Sequence, residues 1–211
     1  MDDQAIYCVN NRLAYQFESA HINSRDFKHL QEEATYNVPG LVGMSHILNN
    51  TGAAYLMTGN PDDAIDFFDK ALNYARGQGR GVQKAAILCN RLIAKSYCYE
   101  IIPENEFRKT MNYIFDIMGF EKLPFIASRL ALNLISIAFK QDTDLALELM
   151  HNYPINELII KGTKSNIIGS AQLKLQIQFL EKQYPRFGLD TSKLFLPGTD
   201  NVSGIQKKYI L

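Results

Sequence analysis

The thirty residues from His46 to Ala75, HILNNTGAAYLMTGNPDDAIDFFDKALNYA, constrain the fold of this chain more tightly than any other stretch. Leu48, Gly52 and Tyr55 recur at i, i+4 and i+7, and Ala64, Phe68, Ala71, Leu72 and Ala75 form a second stripe. Such spacings place apolar groups on one side of a helix. Between the stripes Gly59 is suited to end the first helix, Asn60 to cap the second and Pro61 to fill its first position, while Asp62 and Asp63 complement its dipole. The stretch therefore predicts a helical hairpin. Small residues at Gly52, Ala64 and Ala71 let the two helices approach, and Tyr55 and Phe68 fill the gaps between them.

Sliding the pattern by 42 residues brings Tyr97 and then Phe139 to the position of Tyr55, with Ala94 and Ser136 at that of Gly52 and Leu13 at an equivalent upstream site. A period of this size is the signature of a repeat array. Helix pairs are predicted at 4–21 and 25–37, 42–58 and 61–76, 82–101 and 104–118, and 124–140 and 143–151. Pro39, Gly40, Pro103, Pro124 and Pro154 punctuate them. Residues 171–180, AQLKLQIQFL, alternate as a strand would, but Leu173, Ile177 and Leu180 keep helical spacing and the composition favours helix, so a helix is expected. After Tyr184 the breakers Pro185, Gly188, Pro197, Gly198 and Gly204 predict an irregular cap. The expected organisation is a helical-repeat domain over 1–183 and a capping tail over 184–211.

The hairpin resembles the tetratricopeptide repeat: Leu48, Gly52, Tyr55, Gly59, Ala64, Phe68 and Ala71 meet the family's large, small, Tyr, Gly, Ala, aromatic and Ala positions. Arg76 stands where the family usually has Pro, and the link from Gly77 to Gly81 is longer than in the strict repeat. The resemblance implies an all-α fold, a right-handed superhelix of antiparallel helix pairs. It also implies a concave wall lined by the first helix of each pair, and the 42-residue register puts Asn11, Asn49, Arg91, Lys95, Asn133 and Lys140 on or near that wall. Chaperone-binding members hold a terminal carboxylate with Lys and Asn one turn apart. The corresponding Asn49 and Ala53 do not reproduce that clamp. The long period and degenerate outer repeats are similar to the C-terminal sensor domains of bacterial and phage peptide-pheromone receptors of the Rap, PlcR, NprR and arbitrium (AimR) group. That similarity implies a groove for a short signalling peptide and a possible homodimer. No helix-turn-helix signature accompanies it.

Residue chemistry agrees with a binding role. An Asn amide offers a donor and an acceptor together, so it can pair with the backbone of an extended peptide whatever its side chains are. Arg91 and Lys95, one turn apart, are candidates to hold a carboxylate. The balance of 22 Lys and Arg against 22 Asp and Glu removes the electrostatic term that dominates nucleic-acid binding, so no direct contact with DNA or RNA is expected. No apolar run reaches the length of a membrane span. An acidic start, Met1-Asp2-Asp3-Gln4, and three cysteines, Cys8, Cys89 and Cys98, without CxxC spacing lead to the expectation of a cytoplasmic protein.

Neither a catalytic nor a metal motif stands out. His21, His29, His46 and His151 do not form HExxH, and His29 with Glu33 falls short of a metal site. Gly77-Gln78-Gly79-Arg80-Gly81 follows a helix and lacks the Lys-Ser/Thr ending of a phosphate loop. The carboxylates Asp62, Asp63, Asp66 and Asp69 belong to a helix start and its solvated face. The expectation is a non-enzymatic, cofactor-free regulatory domain that binds a short linear peptide or a protein. The alternative is a structural adaptor holding a folded protein through its convex face or through the tail Lys207-Lys208-Tyr209-Ile210-Leu211.

Overall fold

A computed structural model of the chain describes residues 24–36, 43–75, 81–98, 101–119 and 123–189. Among the described residues the regular structure is entirely helical, so the expectation of an all-α fold holds. The helices are α1 (Ser24–Tyr36), α2 (Met44–Met57), α3 (Pro61–Ala75), α4 (Gly81–Tyr97), α5 (Glu104–Gly119), α6 (Pro124–Gln141), α7 (Thr143–Asn152), α8 (Ile155–Ser165) and α9 (Ile167–Gln183). The chain divides into two compact units, Met1–Glu100 and Ile101–Leu211. Seven of the predicted helices match α1 to α7 within a few residues. The predicted helix at 4–21, with Cys8, Asn11 and Leu13, lies outside the described residues, as do the 76–80 link and the tail from 190 onward.

In the first unit α2 and α3 form the hairpin, α4 packs on both, and α1 packs on α2. The turn closing the hairpin is a Schellman motif: Gly59 adopts φ 82°, Asn60 N–H donates to Tyr55 O at 2.9 Å and Gly59 N–H to Leu56 O at 3.2 Å. Only a residue without Cβ takes that left-handed backbone cheaply. Asn60 stands at the start of α3, its carbonyl accepting from Ala64 N–H at 3.1 Å, while its amide NH2 donates to Thr58 O at 3.3 Å. Leu48, Ala64, Phe68 and Ala71 are fully buried. A Cβ on Gly52 would lie 2.7 Å from Phe68 Cε1, so the close approach of α2 and α3 depends on the missing methyl. Tyr55 is half-buried, stacked on Phe67 at 5.1 Å and meeting Phe27 edge-on at 5.0 Å.

In the second unit α5 and α7 pack on α6, α8 packs on α6, and α9 covers both α6 and α8. Asp142 caps α7, accepting from Asp144 N–H at 2.8 Å and Leu145 N–H at 3.3 Å, and Asn166 caps α9 through Gly169 N–H at 2.8 Å. α8 has no counterpart among the predicted helices. It sits so close to α6 that a Cβ on Gly162 would overlap Ser128 Oγ, and that hydroxyl lies 3.0 Å from Leu158 O. Residues 171–180 are helical within α9, burying Leu173, Ile177 and Leu180. Beyond α9, Tyr184 and Phe187 return to Phe139, with ring centroids 4.8 Å and 6.0 Å away, and Leu189 is buried. The first residues of the expected tail therefore cap α6.

A regular spacing runs through the polar contacts that join alternate helices. Gln83 donates to Ser45 across 38 residues, Arg108 to Glu148 across 40, and Tyr153 to Asn112 across 41. In the first unit α2 and α4 touch near their starts, at Ser45 and Gln83, and again further along, at Asn49 and Asn90, so they run parallel and α3 runs back between them.

Candidate functional site: two amide pairs on exposed helix strips

On α4 two sets of buried residues, Gln83, Ile87 and Ala94 on one side and Ala85, Cys89 and Leu92 on another, leave two less buried strips between them. One carries Ala86, Asn90, Ile93 and Tyr97; the other carries Lys84, Leu88, Arg91 and Lys95. Asn90 Nδ2 donates to Asn49 Oδ1 of α2 at 3.1 Å, and Asn49 Nδ2 donates in turn to Asn50 Oδ1 at 3.4 Å. These three partly buried amides form a short relay across two parallel helices.

Arg91 looks elsewhere. Its Nε donates to Asp69 Oδ1 of α3 at 2.7 Å, its Nη2 reaches Asp69 Oδ2 at 3.5 Å, and its side chain is 20% exposed. Asn90, not Arg91, is therefore the residue of α4 that meets Asn49. Lys95, one turn on, shares the Arg91 strip. The cause is geometric, since one residue of helix turns the side chain by about 100°. Asp69, expected on a solvated face, is the carboxylate that Arg91 holds. Tyr97 is also corrected. Expected to fill a gap between helices, it is 46% exposed, because its spacing from Asn90 keeps it on the amide strip.

The second unit repeats the arrangement. Gln176 Nε2 of α9 donates to Asn133 Oδ1 of α6, 43 residues away. Asn133 belongs to a strip with Ile126, Arg129, Ser136 and Lys140, in which Lys140 is exposed and complements the dipole in the last turn of α6. Arg129 lies over the Phe125 ring at 5.9 Å. Phe139 faces inward and is 5% exposed. Asn11 falls outside the described residues.

One contact shows what such amides do. Ile102 lies in the segment before α5, and its backbone N–H donates to Gln141 Oε1 at 2.8 Å while Gln141 Nε2 donates to Ile102 O at 2.9 Å. A single side-chain amide thus satisfies both backbone groups of one residue outside the helices.

Burial pushes the Cys89 thiol up to about 12, leaving it neutral and inert. Burial and, to a lesser degree, the nearby Asp63 carboxylate raise the Tyr55 phenol. Cys98 Sγ lies 3.3 Å from Asp62 Oδ1, and His29 Nδ1 lies 3.9 Å from Glu32 Oε2. Among the described residues no three His, Cys, Asp or Glu side chains gather closely enough for a metal ion, and no helix is long and apolar enough to cross a membrane. Asn90, Asn50, Gln176 and Gln141 escaped the sequence reading. For Asn90 and Gln176 the signal was an amide recurring at 41 and 43 residues instead of a strict 42. Comparison with protein-family models, with curated proteins and with solved structures gives no match to this chain.

Proposed function

We propose that this chain is a tetratricopeptide-like helical-repeat domain that binds an extended polypeptide segment through the amide strips of α2 with α4 and of α6 with α9, and that it acts as a regulatory sensor of a short peptide. The observation that carries this reading is the Asn90 to Asn49 pair, set on a partly exposed strip that spans two parallel helices. Each amide retains unused donor and acceptor capacity, because a side-chain amide has two donors and two lone pairs. Gln141 on Ile102 supports the chemistry from within the same molecule. The Schellman turn at Gly59, the Gly52 contact and the recurring 38- to 43-residue links support the repeat architecture.

The test uses the whole chain and a synthetic library of random heptapeptides with free C-termini, with retained peptides read by mass spectrometry. Selection of a defined peptide set is expected, with its loss in Asn49→Ala/Asn90→Ala or Asn133→Ala/Gln176→Ala at unchanged helicity by circular dichroism. Absence of selection, or selection that survives both double variants, would remove the reading.

A further inference from the structure

We infer that the second unit holds a small-molecule site apart from the amide strips, a cleft that takes a short zwitterion with apolar side chains, of the amino-acid or dipeptide class. The cleft has a volume of about 410 Å³ and lies between the end of α7, the Tyr153–Pro154 turn, the start of α8 and the stretch that follows α9. That size falls within the range of about 300–1,000 Å³ that small ligands occupy. Its walls are held from behind. The Tyr153 ring stacks on Phe115 at 5.1 Å and its hydroxyl donates to Asn112 Oδ1 at 2.7 Å, while Tyr184 and Phe187, which flank Arg186 in the chain, both pack against the Phe139 ring. The cleft therefore belongs to the packed frame of the unit.

The lining sorts by chemistry. Leu147, Met150, Ile155 and Leu189 make its apolar part, with Ile155 and Leu189 buried. Arg186 and Glu157 bring opposite charges to the same space, and His151 and Asn156 bring hydrogen-bonding side chains. Arg186 Nη1 lies 3.2 Å from Asp144 Oδ1, but the two side chains are 64% and 85% exposed. Ion pairs so exposed contribute little, and a guanidinium has five N–H groups, so Arg186 takes on a ligand carboxylate at small cost. The Glu157 carboxylate suits an ammonium group, and the Asn156 amide suits a peptide link. A ligand with both charges and an apolar body meets all of these groups at once. A plain anion meets Glu157 and Asp144 as like charges, and a plain cation meets Arg186.

Titration calorimetry of the whole chain with L-leucyl-L-leucine tests the site. Saturable binding is expected, weakened about tenfold or more when the dipeptide is N-acetylated and again when its carboxylate is amidated, each change removing a charge-assisted hydrogen bond. Glu157→Gln should abolish the difference between the free and acetylated probes, and Arg186→Gln that between the free and amidated ones. Both side chains are exposed, so helicity by circular dichroism should stay unchanged. Free L-leucine binding as tightly as the dipeptide would assign the cleft to amino acids, and tighter binding of the dipeptide would assign it to short peptides. Absence of saturable binding by either probe would overturn the inference. So would equal affinity for the doubly blocked dipeptide, or discrimination between the probes that survives both variants. The proposed function is tested separately, by the heptapeptide selection.

Discussion

The two units carry the same device in different surroundings. In each, a side-chain amide reaches across to an amide on the next parallel helix, Asn90 to Asn49 in one and Gln176 to Asn133 in the other. Around the first pair the strip ends in Met57 and Tyr97, and the nearest Arg is occupied by Asp69. Around the second the strip carries Arg129 and Lys140, and the backbone of Ser136 receives the Tyr184 hydroxyl at 3.4 Å. The amide pair is common to both units, and the residues one turn away differ without disturbing it. The close helix contacts differ too: Gly52 yields to a Phe68 ring, whereas Gly162 yields to a hydroxyl that also reaches a carbonyl.

The sharpest way to break this comparison is to empty one core at a time. Phe68 and Phe107 are both fully buried aromatics, one in each unit. Replacing either with Ala should cost about 3–5 kcal/mol. Hydrogen exchange followed by mass spectrometry should show lost protection within α2–α4 for Phe68→Ala and within α5–α9 for Phe107→Ala. Uniform loss along the chain in both variants would mean that the units are not separate cooperative blocks.

Next in size are the glycines. Gly52→Ala and Gly162→Ala should each cost about 1–3 kcal/mol in urea unfolding, since the methyl has nowhere to go. Pairing Gly52→Ala with Phe68→Leu sharpens the point. If the ring is the obstacle, the double variant loses less than the sum of the two single changes.

Alkaline pH should separate the units more gently. The unfolded Cys89 thiol loses its proton near pH ~8.5, whereas the buried one holds it to about 12, so in that window the folded state binds more protons. Stability is intact below the window and falls within it by at most about 1.4 kcal/mol per pH unit. Cys89→Ala should remove that slope in a denaturation series run from pH 8 to ~11. The smallest effect belongs to the amides themselves. Asn49→Ala/Asn90→Ala should shift unfolding by only about 0.5–1.5 kcal/mol. A much larger loss would recast the pair as a structural fastening.

The parts of this molecule legible in the sequence are those governed by neighbours a few residues away. The α2–α3 hairpin could be read because Gly59, Pro61 and the small residues at Gly52 and Ala64 act within one turn or across one pair of helices. The amide strip was read only in part. Asn49 and Asn133 were found, but the step from α2 to α4 is 41 residues and that from α6 to α9 is 43, so a fixed register lands on Arg91 and misses Gln176. Such small differences arise in the links between helices, and a helix magnifies each into a change of face. α8 went unseen for another reason. INELIIKGTKS holds a Gly and β-branched residues that weaken helix propensity, and the segment is helical because α6 packs against it at Ser128. In α9 the opposing signals were settled by burial of Leu173, Ile177 and Leu180 on one face.

The recurring step of some forty residues also bears on how the chain assembles. Each of these fastenings closes a modest loop, and the entropy of closure grows only with the logarithm of loop length. A hairpin such as α2–α3 can thus form while later segments are still leaving the ribosome.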